Sequence, residues 1–220
     1  MRNALLATAI AWLACAVVAR ADDGLEPYRV LARSPRSREI LAFARATMDR
    51  YWDAAEAAPD SVPQSALPGW PGRPTGVYVS LAGHTTRACV GNATPTGTLA
   101  ETVELLAIRS LEADRRHPPL RHDELPSLRI LISFAGDGEP VSDPMVVDPA
   151  REGLLVSSPR GNVAFLPGEA RTVQWALREA RRIGVLAGKG ADVSYRRFPV
   201  VVISEPARPA PREEPVDEGR

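Results

Sequence analysis

Cysteine is almost missing: the 220 residues contain two, Cys15 and Cys89. Cys15 lies in an apolar start that reads as a removable segment, so no intrachain disulfide framework is expected and Cys89 is left as a lone thiol. Lysine is scarcer still, with Lys189 the only one, while arginine is abundant; with many alanines and prolines this reads as GC-rich codon bias rather than chemistry. Excess charge is absent as well: 27 basic and 27 acidic side chains cancel, so nucleic acid and anionic membrane surfaces are not obvious partners. There is no C-x-x-C, no H-x-x-x-H, no phosphate loop, no dinucleotide fingerprint and no G-x-S-x-G. Asp137, Asp143 and Asp148 lack the spacing of a calcium loop. Neither a metal site nor a cofactor is therefore expected.

What is present begins with Met-Arg-Asn, an apolar run from Ala4 to Val18, then Ala19-Arg20-Ala21 ahead of Asp22-Asp23. A basic start, an apolar middle and a small-x-small end form a secretory signal, Met1–Ala21, and predict an exported chain, periplasmic or secreted. The run is shorter than the ~20 residues of a membrane-spanning helix, so no stable membrane insertion is expected once the signal is gone. Residues 22–36 are polar and turn-rich and read as a linker, 37–204 as one domain, and the Pro-rich, charged 205–220 as a disordered tail.

Within the domain, apolar spacing predicts helices over Ser37–Ala58, Leu99–Ala113 and Arg171–Ile183. Thr98 with Glu101 forms a capping-box pattern at the start of the second. Strands are expected at Gly76–Ala82, Thr85–Gly91, Leu128–Phe134, Gly153–Ser157, Asn162–Leu166 and Phe198–Ile203. The intermixing of elements and the antiparallel hairpin favour an α+β fold, an antiparallel-rich sheet flanked by helices.

The hairpin carries the lone thiol. A two-residue turn at Gly83-His84 would set Tyr78 opposite Cys89 and Ser80 opposite Arg87. Val77, Val79, Leu81, Thr86, Ala88 and Val90 then share the core face, while Tyr78, Ser80, Ala82, Thr85, Arg87 and Cys89 share a more polar one. A guanidinium near a thiol favours the nucleophilic thiolate. Equally, free cysteine is among the most buried residue types and packs as a small hydrophobe. A one-residue slip would move Cys89 to the core face.

Three stretches of the chain, within about Arg38 to Glu205, resemble the AMMECR domain family. Gly76-Val-Tyr-Val-Ser-Leu81 followed by Thr86-Arg-Ala-Cys-Val-Gly91 is similar to the family's G-V-F-V-T-L and L-R-G-C-I-G. Asp114-Arg-Arg-His-Pro-Pro-Leu120 with Glu124-Leu125 is similar to its D-x-R-F-x-P-L-x-x-x-E-L. Glu152-Gly153-Leu154, Phe165-Leu166-Pro167 and Arg197-Phe198 match later patterns. Ala88, His117 and Glu152 stand where the family has glycine, an aromatic and histidine. The resemblance implies a larger and a smaller lobe around a cleft near the signature residues, and membership of a family whose activity is not established. Family members are typically cytoplasmic, so export would separate this chain from their usual partners.

Two functions follow as expectations. One is a non-catalytic binding module whose cleft, lined by Tyr78, Ser80, Arg87, Cys89, Asp114 and Arg116, holds a small molecule or peptide. The other is a thiol-dependent enzyme with Cys89 as nucleophile, Arg87 tuning it and His117 as base.

Overall fold

The computed structural model describes residues 23–53, 67, 69–92, 94–186 and 192–207. The segment read as a signal, Met1–Ala21 with Cys15, lies outside the described residues, as do the predicted helix end at 54–58 and the expected tail from 208 onward.

Two helices open the chain, α1 (Glu26–Arg33) and α2 (Arg36–Asp53). The first corrects the linker expected over 22–36. Its turn-forming residues only punctuate it: Pro27 sits in the first turn, where a missing N–H costs nothing, and Ser34-Pro35 ends the helix. Leu25, Tyr28 and Leu31, spaced by three, form a buried stripe. The Tyr28 ring stacks on Phe134 at 4.4 Å and its hydroxyl donates to the Gly72 carbonyl at 2.8 Å.

The hairpin follows as β1 (Gly76–Ala82) and β2 (Thr86–Asn92), then α3 (Leu99–Glu112) begins on the predicted capping box, with Thr98 and Glu101 each satisfying the other's amide. A 3-10 turn (His122–Ser127) leads into β3 (Arg129–Ala135). The remaining strands are β4 (Glu139–Val141), β5 (Gly153–Ser158), β6 (Gly161–Phe165), β7 (Ser194–Phe198) and β8 (Val200–Ser204), with α4 (Val173–Arg182) between β6 and β7.

The strands form two antiparallel sheets, ordered β2-β1-β3-β8 and β4-β7-β5-β6. The α+β class holds, with two sheets in place of the single one expected. The division explains a second difference. The run read as one strand, Phe198–Ile203, belongs to both sheets: β7 ends at Phe198, β8 begins at Val200, and Pro199 stands between. Proline has no N–H for a ladder, and the Pro199 carbonyl instead accepts from the Gly136 amide at 3.0 Å.

Each sheet has its own core. The larger joins α1, α2 and α3 to one face of the first sheet, through Ile40, Met48, Val79, Leu106, Ile132 and their neighbours. The smaller lies under α4, around Leu154, Val156, Phe165 and Ala176. A third cluster, Tyr78, Ala135, Leu166 and Phe198 with Cys89, Leu155, Ala164 and Val200 against it, joins the two sheets. The start of the expected tail is also structural. The Glu205 amide donates to the Ile130 carbonyl at 2.9 Å, and its carboxylate receives the Ile130 amide at 2.8 Å and pairs with Arg45.

Candidate functional site

The hairpin builds the site. Its loop has three residues rather than two, with Ala82 opposite Thr86, and a bulge follows that places Leu81 opposite Ala88 and leaves Arg87 unpaired. Together these slide the register by two positions: Cys89 faces Ser80, and Tyr78 faces Gly91. An even slip preserves the faces. Val77, Val79, Leu81 and Ala88 stay in the main core with Val90 packed against it, while Tyr78 and Cys89 sit on the opposite face, in the seam between the sheets.

The bulge changes the partner of Arg87. Its guanidinium makes a fork on Glu124, at 2.9 and 3.1 Å, and donates to the Pro118 carbonyl at 3.1 Å. The expected tuning of Cys89 by Arg87 therefore has no geometric basis, because a bulged residue is re-aimed away from its strand neighbours. The guanidinium beside Cys89 is that of Arg116. It donates to the Cys89 carbonyl at 3.2 Å, while the Cys89 amide donates to Asp114 Oδ2 at 2.8 Å. Asp114 and Arg116 thus satisfy both main-chain groups of Cys89 on the side where, among the described residues, β2 has no neighbouring strand. This joins the two stretches singled out in the sequence, Thr86–Gly91 and Asp114–Leu120, into one structure.

Arg116 continues to a second carboxylate, Glu169, in the turn after β6. Its contacts with Asp114 are at 3.1 and 3.2 Å, and the three side chains are 5–6% exposed. One positive charge lies between two negative ones, and the carboxylates respond in opposite directions. Asp114 is desolvated by burial, but Arg116 and the amides of Arg116 and Cys89 more than offset this and hold it below its ordinary value. Glu169 is raised, first by burial and further by the Asp114 charge. His117 Nδ1 lies 3.3 Å from Asp114 Oδ2, so the expected base is engaged by the same carboxylate.

Burial pushes Cys89 up to about 12, the Glu169 charge adds to this, and Arg116 and a hydrogen bond with Ser80 only partly offset it. Tyr78 is likewise raised to about 12 by burial.

A pocket of about 200 Å³ opens here, lined by Tyr78, Cys89, Gly91, Asp114, Arg116, Leu155, Asn162 and neighbours from β6 and the end of α4. Of the residues expected to line a site, Tyr78, Cys89, Asp114 and Arg116 are brought together around it; Ser80 is buried in the sheet and Arg87 is directed to Glu124. Glu169, Leu155, Asn162 and Ala164 were not foreseen. They come from the second sheet and its turns, and only the nearby Phe165-Leu166-Pro167 gave any signal. Among the described residues, no group of three or more His, Cys, Asp or Glu is placed to hold a metal.

Fold and site together define an α+β protein of two antiparallel sheets, with an arginine–carboxylate cluster clamping a cysteine-bearing edge strand beside a small pocket. The AMMECR1 family model matches residues 41–194, and the chain belongs to that family. A protein of Thermotoga maritima is 30% identical over 148 residues, which cover 64% of this chain and 82% of that protein. One of Aeropyrum pernix is 30% identical over 114 residues, 47% of this chain and 49% of that protein, so the match spans about half of its length. The crystal structure of an uncharacterised protein from Pyrococcus horikoshii superposes with a TM-score of 0.60 at 21% identity, covering 78% of this chain and 92% of that one, and shows the same fold.

Proposed function

We propose that this chain is an exported binding or accessory module of the AMMECR1 family whose pocket holds a small ligand or a peptide. The observation that carries the reading is the pocket of about 200 Å³ between strands of the two sheets, with Cys89 in its wall and Arg87 turned away to Glu124. Burial, then the Glu169 carboxylate, push the Cys89 thiol up to about 12, which favours its protonated form at neutral pH. A protonated thiol is a wall, whereas a nucleophile needs the thiolate. The alternative of a thiol-dependent enzyme stands second, because Arg87 is directed to Glu124 and His117 is not among the residues that line the pocket with Cys89.

A thermal-shift screen of small metabolites and short peptides on the purified protein tests the reading. Ligands that raise the melting temperature of both the wild type and Cys89→Ser support a binding module. A turnover abolished by Cys89→Ser would install the enzyme in its place. Export rests on the Met1–Ala21 pattern. Its test is a fusion of that segment to a reporter that is active only after translocation, and an inactive fusion with normal expression would refute it.

A further inference from the structure

We propose that the occupant of the pocket is an extended peptide segment, held by main-chain hydrogen bonds to the open edges of β2 and β6. The proposal rests on reading the pocket as a binding site. Among the described residues β2 ends one sheet and β6 ends the other, so each has a side with no neighbouring strand. Both line the pocket, β2 through Cys89, Val90 and Gly91, β6 through Asn162, Val163 and Ala164.

In an antiparallel ladder, residues bonded to the neighbouring strand alternate with residues whose N–H and C=O point away from it. Cys89 is of the second kind, since Asp114 and Arg116 take its amide and carbonyl from outside the ladder. Gly91, two positions on, has the same sense, and it has no side chain to screen its main-chain groups. On β6 the alternation is counted from the tight turn at Pro159-Arg160, where Ser158 pairs with Gly161. It gives the outward sense to Asn162 and Ala164.

Proteins normally blunt an open edge with charges or a covering element. Here the blunting is partial: Asp114 and Arg116 cap Cys89, while among the described residues no further strand pairs with either edge where it lines the pocket. Two open edges around one space suit an added strand, in which main-chain bonds supply affinity and side-chain pockets supply selectivity. The volume, about 200 Å³, takes in only a short stretch of such a peptide, and its remainder would run along the strand edges. Val90, Leu155 and Ile183 offer an apolar wall for one side chain of that stretch.

The test is a titration of the isotopically labelled full chain with acetyl-Ala-Leu-Ala-amide and with the same peptide N-methylated at leucine, followed by amide resonances. The parent peptide is expected to shift Gly91, Asn162 and Ala164 saturably. The N-methyl peptide, lacking one donor, should bind about tenfold more weakly. Ala164→Pro deletes one outward amide of an edge strand, where proline is tolerated, and should weaken the parent peptide similarly. If that variant does not fold, the two peptides on the unaltered chain decide. Equal binding of both peptides, saturable shifts elsewhere, or no saturable shift with either overturns strand addition. When metabolites from the thermal screen still bind, only strand addition has failed; silence in both experiments sinks the pocket reading as well.

Discussion

At the scale of single residues, two glycines have the same task. A Cβ on Gly91 would lie 1.9 Å from the Tyr78 ring, and one on Gly153 would lie 2.3 Å from the Phe198 ring. Each glycine is the cross-strand partner of the aromatic that covers it, and the two rings stack 6.4 Å apart where the sheets meet. Gly91→Ala is therefore expected to destabilise the protein by about 1–3 kcal/mol through forced displacement of the ring, read as a lowered urea midpoint. Cys89 gives a second prediction. Its thiol, raised to about 12, should react with iodoacetamide at pH 7.5 about a thousandfold more slowly than free cysteine in the native protein. Arg87→Ala should lower thermal stability by breaking the Glu124 fork yet leave that labelling rate unchanged; a change in rate would restore Arg87 as the tuning group. These residues differ in how visible they were beforehand. Cys89 and Asp114 stood out because a family pattern and a lone thiol mark them. Glu169 did not, since a carboxylate in a turn carries no local sign that a distant guanidinium will bury it.

At the scale of elements, period and capping were legible wherever one face is buried and the other wet. α3 is the plainest case, with its apolar stripe and both halves of its capping box present in the residues themselves. Thr98→Ala should cost about 1 kcal/mol, measurable by denaturant unfolding, while leaving the pocket intact. The hairpin was legible in its faces but not in its register. A third loop residue and the bulge at Arg87 each add one position, and neither carries a glycine or proline signature that would announce it. α1 was hidden for the opposite reason: prolines and polar residues around it imitate a linker, and its stripe is only three residues long. The split of β7 from β8 depends on which sheet each joins, a long-range fact that local composition does not record.

At the scale of the molecule, two cores are tied together by the aromatic seam and by Arg116 reaching from the loop after α3 to Glu169 beyond β6. Arg116→Ala strands two buried carboxylates and should cost about 3–5 kcal/mol in unfolding free energy. The cluster also sets a pH dependence. Asp114, held below its ordinary 3.8, contributes stability above that pH and loses it as pH falls through the folded-state value. Glu169, held above its ordinary 4.5, does the reverse: its contribution is complete below 4.5 and is lost as pH rises through the folded-state value. The stability gap between wild type and Asp114→Asn should therefore narrow below pH 3.8, whereas Glu169→Gln should gain on the wild type between acidic and neutral pH. Urea midpoints across that range check both.

The passage of the chain through Pro199 bears on how the protein is made. β7 is an interior strand of the second sheet and β8 is an edge of the first, and they are the last two strands among the described residues. During synthesis β4 and β5 must wait without the strand that separates them until residues 194–198 leave the ribosome. Neither sheet is whole before then, so one short stretch, Ser194–Ser204, closes both.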